Sequence, residues 1–363
     1  VGLGGDIVKQ TDPAGSSAKV LVTGGAGYVG SHACKALAKA GYVPIVFDDL
    51  SRGHRAAVCW GPLVEGELSN TGLLAETLCQ HGISAVMHFA AYANVGEAVA
   101  DPASYYRNNV GGTLSLLSAM REAGIGLLVF SSSCAIYGIP DRVPIAESTP
   151  AAPVNAYGET KLAIERALFW YGQAYGLRSA ALRYFNAAGA DPEGEIGEHH
   201  DPETHLIPLA IRAALGQTGP IAVYGTDYPT PDGTAIRDYI HVSDLADAHV
   251  QALDHLARGG ASTALNLGTG RGYSVYQVIA AIERISGRKV PRHETGRRAG
   301  DPPALVADTG LARSVLEWTA QRSDIETIVE TALAWHASHP TGFTDKPPAE
   351  STEKTTQAGL CAW

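Results

Sequence analysis

Apolar and polar positions along this chain fall into a repeating order. "KVLVTGG", residues 19–25, is a short apolar run rich in β-branched residues that ends in glycines. "YVGSHACKALAKAGY" follows with apolar residues at helical spacing, and Gly41 closes it. "VPIVFDDL" and "SAVMHFAAYA" read as further strands of the fully buried type. "PASYYRNNVGGTLSLLSAMREAG" reads as one helix, and "GLLVFSSSCAIYG" as a strand over 127–131 that runs out into small polar residues. "NAYGETKLAIERALFWYGQAYG" is a long amphipathic helix, and "RSAALRYFNAAG" a strand. From about residue 190 the order loosens. "ADPEGEIGEHHDPETH" is a long Gly/Pro/acidic loop of the kind that serves a site. "HLIPLAIRAALGQ" is a helix, "IAVYGTDYPTPDGTAIRDYIHV" is irregular and aromatic, and "SDLADAHVQALDHLARGG" is a helix with Ser243 placed to cap it.

Strands alternating with helices predict an α/β chain: a Rossmann-type doubly wound parallel sheet, followed by a smaller mixed α/β C-terminal substrate domain. Ligands of such folds bind in the crevice at the strand C-termini. The expected organisation is a flexible leader over 1–17, a dinucleotide-binding domain over 18–187, a substrate domain over 188–342 and a flexible tail over 343–363. The chain is expected to cross back to the first domain around 238–270.

Composition narrows the partners. At 363 residues and 45% hydrophobic, the chain can bury a large core. A net charge of −10 argues against non-specific nucleic-acid binding. Apolar runs fall far short of the ~18 residues that a membrane span needs. The cysteines at 34, 59, 79, 134 and 361 are odd in number and scattered, without a C-x-x-C pair, which fits a reducing cytoplasm.

"TGGAGYVG" places Gly24, Gly27 and Gly30 between the first strand and the first helix. This spacing is one residue wider than the usual dinucleotide fingerprint, but the physics is the same: bare positions let backbone N–H groups approach a pyrophosphate at a helix N-terminus. The next strand ends in Asp48, where a carboxylate can accept both ribose hydroxyls of an adenosine and repel a 2′-phosphate, so NAD is favoured over NADP. Further on, Ser133 stands at a strand end and "NAYGETK" sets Tyr157 and Lys161 one helical turn apart on one face. A free Tyr titrates near 10 and is a poor base at neutral pH; a Lys ammonium one turn away and a cationic nicotinamide ring would favour its phenolate.

"TGGAGYVG", "SSS", "YGETK" and "RYFNAAGA" together resemble the extended short-chain dehydrogenase/reductase superfamily. "YGTDYPTPDGTAIRDYIHVSDLADAH" and "LNLGTGRGYSV" are similar to the UDP-glucose 4-epimerase family within it, and the likeness runs from about residue 18 to about 342. The resemblance implies an NAD-dependent UDP-sugar 4-epimerase that works as a cytoplasmic homodimer, without metal, through a 4-keto intermediate. Tyr157 would be the base, Lys161 would hold the nicotinamide ribose and lower the Tyr pKa, and Ser133 would bond the 4-oxygen. It further implies cofactor contacts from Tyr28, Val29, Asp49, Glu67, Leu68, Phe89, Ala90, Asn108 and Tyr184. The UDP-sugar would meet Asn186, His205, Leu206, Tyr224, Arg237, Arg298, Asp301 and Leu305. Arg237 and Arg298 suit a diphosphate, since a guanidinium can bond two phosphate oxygens at once, and Tyr224 would stack on uracil.

This chain departs from the family pattern at Glu67, Ala93, Ala135, His205 and Leu305. The first three leave the mechanism intact. All five blur the sugar: the variants "FAAYANVGE" and "SSSCAIYG" also resemble a UDP-arabinose/UDP-xylose 4-epimerase branch, and the mid-sized Leu305 keeps N-acetylhexosamines open. A 4,6-dehydratase needs an acidic pair after the serine strand, where Cys134 and Ala135 stand. A non-catalytic NAD-binding regulator would be expected to lose Tyr157, Lys161 or Ser133, and all three are present. His199, His200 and His205 share a loop but lack the spacing of a metal-binding element, so no metal is expected.

Overall fold

The computed structural model describes residues 17–298 and 300–344. The expected leader and almost all of the expected tail therefore lie outside the described residues. The first half of the chain lays down β1 (Lys19–Thr23), α1 (Tyr28–Lys39), β2 (Val43–Asp48), β3 (Leu63–Glu65), α2 (Thr71–His81), β4 (Ala85–His88), α3 (Val95–Ala100), α4 (Pro102–Tyr105), α5 (Gly112–Glu122), β5 (Leu127–Ser133), α6 (Ala156–Tyr175) and β6 (Arg178–Tyr184). The second half adds β7 (Asn186–Ala188), α7 (Leu206–Ala214), β8 (Ile221–Tyr224), β9 (Ile236–Arg237), β10 (Tyr239–His241), α8 (Val242–Ala257), β11 (Thr263–Leu267), β12 (Tyr273–Ser274), α9 (Val275–Ser286), β13 (Arg292–Thr295), β14 (Ala304–Leu305), α10 (Gly310–Leu316) and α11 (Ile325–Ser338).

Seven strands form one sheet in the order β11-β6-β5-β4-β1-β2-β3, every neighbouring pair parallel. The apolar runs read as buried strands because they face two cores. Val20 and Val22 enter one core with Leu37 of α1 and Leu245, Leu253 and Leu256 of α8. Leu21, between them, enters the other with Leu74 and Leu78 of α2, Leu116 and Leu117 of α5, and Ile164 and Leu168 of α6. Alternate residues of a strand point to opposite faces, so an unbroken apolar run is what a sheet covered on both sides requires. A third core gathers α7, α9 and α11 around Ile211, Val278, Ile282, Ile328 and Val329.

Four local expectations change. The serine strand does not stop at 131: Ser131, Ser132 and Ser133 pair with Leu182, Arg183 and Tyr184, so the small polar residues are part of β5. The helix over 102–124 is interrupted by a π-helical turn, Tyr106–Gly111, a wider winding that helices adopt at functional sites. Ser243 does not cap α8. His241 takes the N-cap position, and its Nδ1 accepts the Ser243 backbone N–H at 3.1 Å. The irregular stretch after residue 220 holds β8, β9 and β10.

One buried carboxylate organises the second half. Asp238, between β9 and β10, is fully buried. It accepts the backbone N–H and hydroxyl of Thr269 at 2.9 and 2.7 Å, the Gly270 N–H at 3.0 Å and the Ala307 N–H at 3.1 Å. An amide cannot accept all four, because its NH2 would face N–H donors. Asp238→Asn is expected to cost about 2–4 kcal/mol, the price of two unsatisfied buried donors, read as the loss in unfolding free energy by urea denaturation.

Candidate active site

The glycine loop is shaped by contacts that leave no room for side chains at two of its positions. Gly24 takes a left-handed φ of +73°, and a Cβ there would lie 2.5 Å from the Ala90 nitrogen. A Cβ on Gly30 would lie 2.1 Å from the Gly24 carbonyl oxygen, so α1 packs against the loop only with glycine at this point. Gly27 is the N-cap of α1 and offers no side-chain cap, and the first turn, which holds Tyr28, Val29 and Gly30, carries no acidic residue. The helix thus presents free N–H groups and an uncompensated dipole to an anion. Asp48 ties this loop to the end of β2: its carboxylate accepts the Ala26 N–H at 3.0 Å and the Leu50 N–H at 2.9 Å. Burial raises its pKa, and those two bonds pull the other way. One lone pair on each Asp48 oxygen remains for a ribose hydroxyl. These residues fit NAD: a bare helix N-terminus for the pyrophosphate and a carboxylate for the ribose.

Around this loop, the backbone N–H groups of Phe89 and Ala90 both point to the Thr23 carbonyl, at 2.9 and 3.1 Å. Asn108 lies on the π-helical turn and donates to Asn109 at 3.0 Å, while Asn109 reaches Thr160 of α6 at 3.2 Å. Asp49 and Glu67 are exposed at the rim, with Leu68 buried beside Glu67.

The tyrosine helix begins where its sequence says it should. The Asn155 side chain caps it by accepting the Gly158 N–H at 2.9 Å, which sets Tyr157 in the first turn and Lys161 one turn below. Lys161 is 2% exposed, donates to the Ser131 carbonyl at 2.7 Å and lies 4.9 Å from the Phe130 ring and 5.7 Å from the Tyr157 ring. Ser131 Oγ and the Tyr184 hydroxyl are 2.7 Å apart. Ser133 is buried at the strand end and accepts the Ala135 N–H at 3.2 Å. Ser133, Tyr157, Lys161 and Tyr184 therefore converge.

The electrostatics differ from expectation. Burial lifts the Tyr157 pKa well above its ordinary value of 10.0, Tyr184 adds to this, and the Ser133 hydroxyl opposes it. Burial lowers Lys161 to about 7, with Glu165 opposing the fall. In the protein alone, burial outweighs whatever lowers the Tyr157 pKa. Desolvation dominates both groups.

The other half of the site arrives on the second-half strands. Asn186 opens β7, with its N–H bonded to the Asp238 carbonyl at 3.0 Å. Leu305 stands opposite Arg237 in the β9–β14 ladder and packs against the small core that holds Cys134, Leu162 and Phe185. Arg237 is paired with Asp301, and its charge reaches the Cys134 thiol. Arg298 covers one face of the Tyr224 ring at 3.9 Å, so that face is not free for a base. His205 is the N-cap of α7, and Leu206 its first residue.

Four supporting residues escaped the sequence reading. Glu165 accepts from Ser132 at 2.5 Å and from Arg183 at 3.0 and 2.5 Å, which binds α6 to β5 and β6. Asp238 holds the segment beside Arg237. The His249 ring lies 4.7 Å from Phe89 and 6.2 Å from Tyr184, bridging the ends of β4 and β6. Only the i, i+4 spacing of Lys161 and Glu165 on one helix face hinted at any of these.

The chain resembles known proteins over most of its length. The chain is 55% identical over 318 residues to a UDP-glucose 4-epimerase of Rhizobium leguminosarum bv. trifolii, covering 88% of this chain and 97% of the relative. The crystal structure of a UDP-glucose 4-epimerase from Brucella ovis in complex with NAD superimposes with a TM-score of 0.86 at 56% identity, over 87% of this chain and 98% of that one. A UDP-glucose-4-epimerase from Stenotrophomonas maltophila with bound NAD and formylated UDP-arabinopyranose gives a TM-score of 0.86 at 39% identity, over 89% of this chain and 99% of that one. The profile of the NAD dependent epimerase/dehydratase family matches residues 20–268. With that match, and with the glycine loop, the serine strand and the tyrosine helix meeting at one sheet edge, this chain belongs to the NAD dependent epimerase/dehydratase family.

Proposed function

We propose that this chain is an NAD-dependent UDP-sugar 4-epimerase that interconverts UDP-glucose and UDP-galactose. The observation that carries the reading is the convergence of Ser133, Tyr157, Lys161 and Tyr184 beside a glycine loop fit for NAD. The 55% identity to a UDP-glucose 4-epimerase supports the sugar.

Bound NAD supplies the acceptor and donor of hydride at sugar carbon 4. Tyr157 takes the proton of the 4-hydroxyl, and Ser133 hydrogen-bonds the same oxygen, so the phenol meets its proton along a fixed line. Inversion requires that the 4-keto sugar turn its other face to the same Tyr157, which then returns the proton. Lys161, anchored by the Ser131 carbonyl, orients the nicotinamide ribose and adds positive potential near the phenol when protonated. Gly24, Gly27 and Gly30 with the first turn of α1 hold the pyrophosphate; Asp48 and Asp49 hold the adenosine ribose; Glu67, Leu68, Phe89, Ala90 and Asn108 line the rest. Arg237 and Arg298 bind the UDP diphosphate from the far side, with Asn186, His205, Leu206 and Asp301. Tyr224 receives uracil once Arg298 swings to the phosphates, and Leu305 bounds the sugar.

We further propose a homodimer built on α3, α5 and α6. Val99, Leu114, Phe169, Trp170 and Tyr175 are exposed there, up to 67% for Val99 and Trp170, more apolar surface than a lone helix face leaves in water. No helix among the described residues is long and apolar enough to cross a membrane. The cysteines Cys34, Cys59, Cys79 and Cys134 are free thiols, which supports a cytoplasmic setting. Light scattering is expected to return twice the 37.9 kDa chain mass; a monomer would refute the dimer.

Purified protein is expected to carry NAD and to convert UDP-galactose to UDP-glucose faster than it converts the pentose or N-acetylhexosamine pairs in a side-by-side assay. Tyr157→Phe should lower kcat by about 10²–10⁴-fold, the span of general acid–base catalysis, while NAD stays bound. Unchanged turnover in that variant would sink the mechanism.

Lys161 gives a pH signature. Its folded pKa is depressed to about 7 from an ordinary 10.5. Below about pH 7 both the folded and unfolded chains hold the proton, and the buried charge opposes folding in full. Between about pH 7 and 10.5 the unfolded chain binds more protons, so this term grows more favourable as pH rises. Lys161→Met should therefore raise the Tm of NAD-free protein most below about pH 7. The gap to wild type should narrow toward pH 10; a gap that does not vary with pH would contradict this account.

A further inference from the structure

We propose that Glu198, His200, Glu203 and His205 form a binding site for one divalent cation of the Zn²⁺ class, where the loop after β7 runs into α7. The sequence argued against a metal because its three loop histidines have no regular spacing. The fold separates them. His199 turns away, its ring 4.4 Å from His54 and its Nδ1 accepting the Phe343 N–H at 3.2 Å. His200 and His205 turn toward two glutamates instead, and one ligand atom from each of the four residues lies within 4.8 Å of all the others.

The distances suit a small cation. In a tetrahedral site with bonds of about 2.1 Å, ligand atoms stand about 3.4 Å apart. His200 Nδ1 is 3.3 Å from Glu198 Oε1 and 3.7 Å from Glu203 Oε2. His205 Nδ1 is 4.0 Å from Glu203 Oε1 and in direct contact with Glu198 Oε1, so only this last pair must open. Two imidazoles and two carboxylates are ligands that suit Zn²⁺ better than the oxygen-seeking Ca²⁺ or Mg²⁺. With both imidazoles neutral, two carboxylates and one divalent cation balance.

Among the described residues, the ion-pair partners of the two carboxylates are the His200 and His205 imidazoles, which are themselves candidate ligands. The Glu198 and Glu203 side chains are each 4% exposed. Among the described residues no Lys or Arg forms an ion pair with either. The neighbouring acidic group, Asp191, Glu193 and Glu195, differs: the Lys35 ammonium sits among its carboxylates at 2.5–2.7 Å and already supplies the charge. The two glutamates are also held from behind. Glu203 Oε1 accepts the backbone N–H groups of Thr204 and His205 at 2.8 and 2.9 Å, and the Glu198 carbonyl accepts the Trp335 indole N–H at 3.2 Å. Such supporting bonds are what aim metal ligands. A cavity of about 50 Å³ borders Glu198 and Glu203; Arg212 also lines it, one positive charge against the two carboxylates.

The place gives the cation a task. The His200 ring stands edge-on to Tyr28 of the cofactor loop at 6.1 Å, and His205 precedes Leu206 at the start of α7. A metal here joins the two sides of the cleft through the loop and positions His205, without touching the reacting atoms.

The test uses full-length protein stripped with a chelator. Titration calorimetry with ZnCl₂ should give one site per chain, and elemental analysis after desalting should find the metal retained. Co²⁺ in its place should give the visible spectrum of a four-coordinate ion. His200→Ala combined with Glu203→Gln should weaken Zn²⁺ binding on the order of 100-fold, since even indirect supporting partners cost 10–100-fold. His199→Ala should bind as wild type does. Wild-type protein that keeps no stoichiometric metal and gives no four-coordinate Co²⁺ spectrum overturns the proposal, whatever the variants do. So does a double variant with unaltered melting temperature and wild-type affinity.

Discussion

Helix α6 is fixed in the molecule by one buried carboxylate. Glu165 receives two N–H bonds from Arg183 and one hydroxyl from Ser132, with both ion-pair partners nearly out of solvent. A buried pair of this kind adds little net stability over apolar packing, but losing one partner strands the other charge. It therefore acts as a register pin. With Glu165 fixed, Lys161 one turn up lands under the Ser131 carbonyl, and Tyr157 a further turn up reaches Ser133. Arg183 carries the constraint onward to the Tyr137 hydroxyl at 2.9 Å, and Tyr137 to Asn266 of β11 at 2.8 Å. An offset of about 1 Å at a reacting group can cost a hundredfold in rate, which is the tolerance such a pin serves.

Burial at this site runs against the charges that the proposed chemistry uses. Desolvation keeps the Tyr157 phenol protonated and pushes the Lys161 amine toward neutrality. The bare N-terminus of α1 likewise presents partial positive charge with no acidic side chain in its first turn. The chain is built for charges that it does not itself carry, and its active electrostatics belong to the loaded protein. Stability and the proposed function pull apart most at Lys161, where an apolar residue would be easier to bury.

The fold was legible because it rests on short-range patterns. Apolar runs ending in glycine, helices with 3.6-residue spacing and the Asn155 cap are local facts, and the doubly wound sheet follows from their alternation. The Tyr157–Lys161 face and the glycine loop were legible for the same reason. What could not be read depends on tertiary neighbours. Nothing near Asp238 in sequence announces that Thr269, Gly270 and Ala307 will bring it their donors. The Arg183–Glu165 pair joins a strand to a helix. The π-helical turn at Tyr106–Gly111 depends on how Asn109 meets Tyr92 and Thr160. The sequence shows a Lys near Tyr157 but not the depth at which burial holds the phenol. Two of the three loop histidines converge with glutamates only because the loop doubles back.

The order of the large sheet has a consequence for how the molecule comes into being. β6 pairs on one side with β5, its predecessor in the sheet, and on the other with β11, which the chain supplies only after β7–β10, α7 and α8. The core between β1 and α1 is likewise covered by α8. A ribosome that has released only the first half has therefore made a sheet with one raw edge at β6 and one apolar face half bare. Pairings of such long sequence separation form slowly, and exposed strand edges invite the wrong neighbour. The two halves cannot divide the folding between them, because the sheet edge at β6 stays open until residue 267 is available.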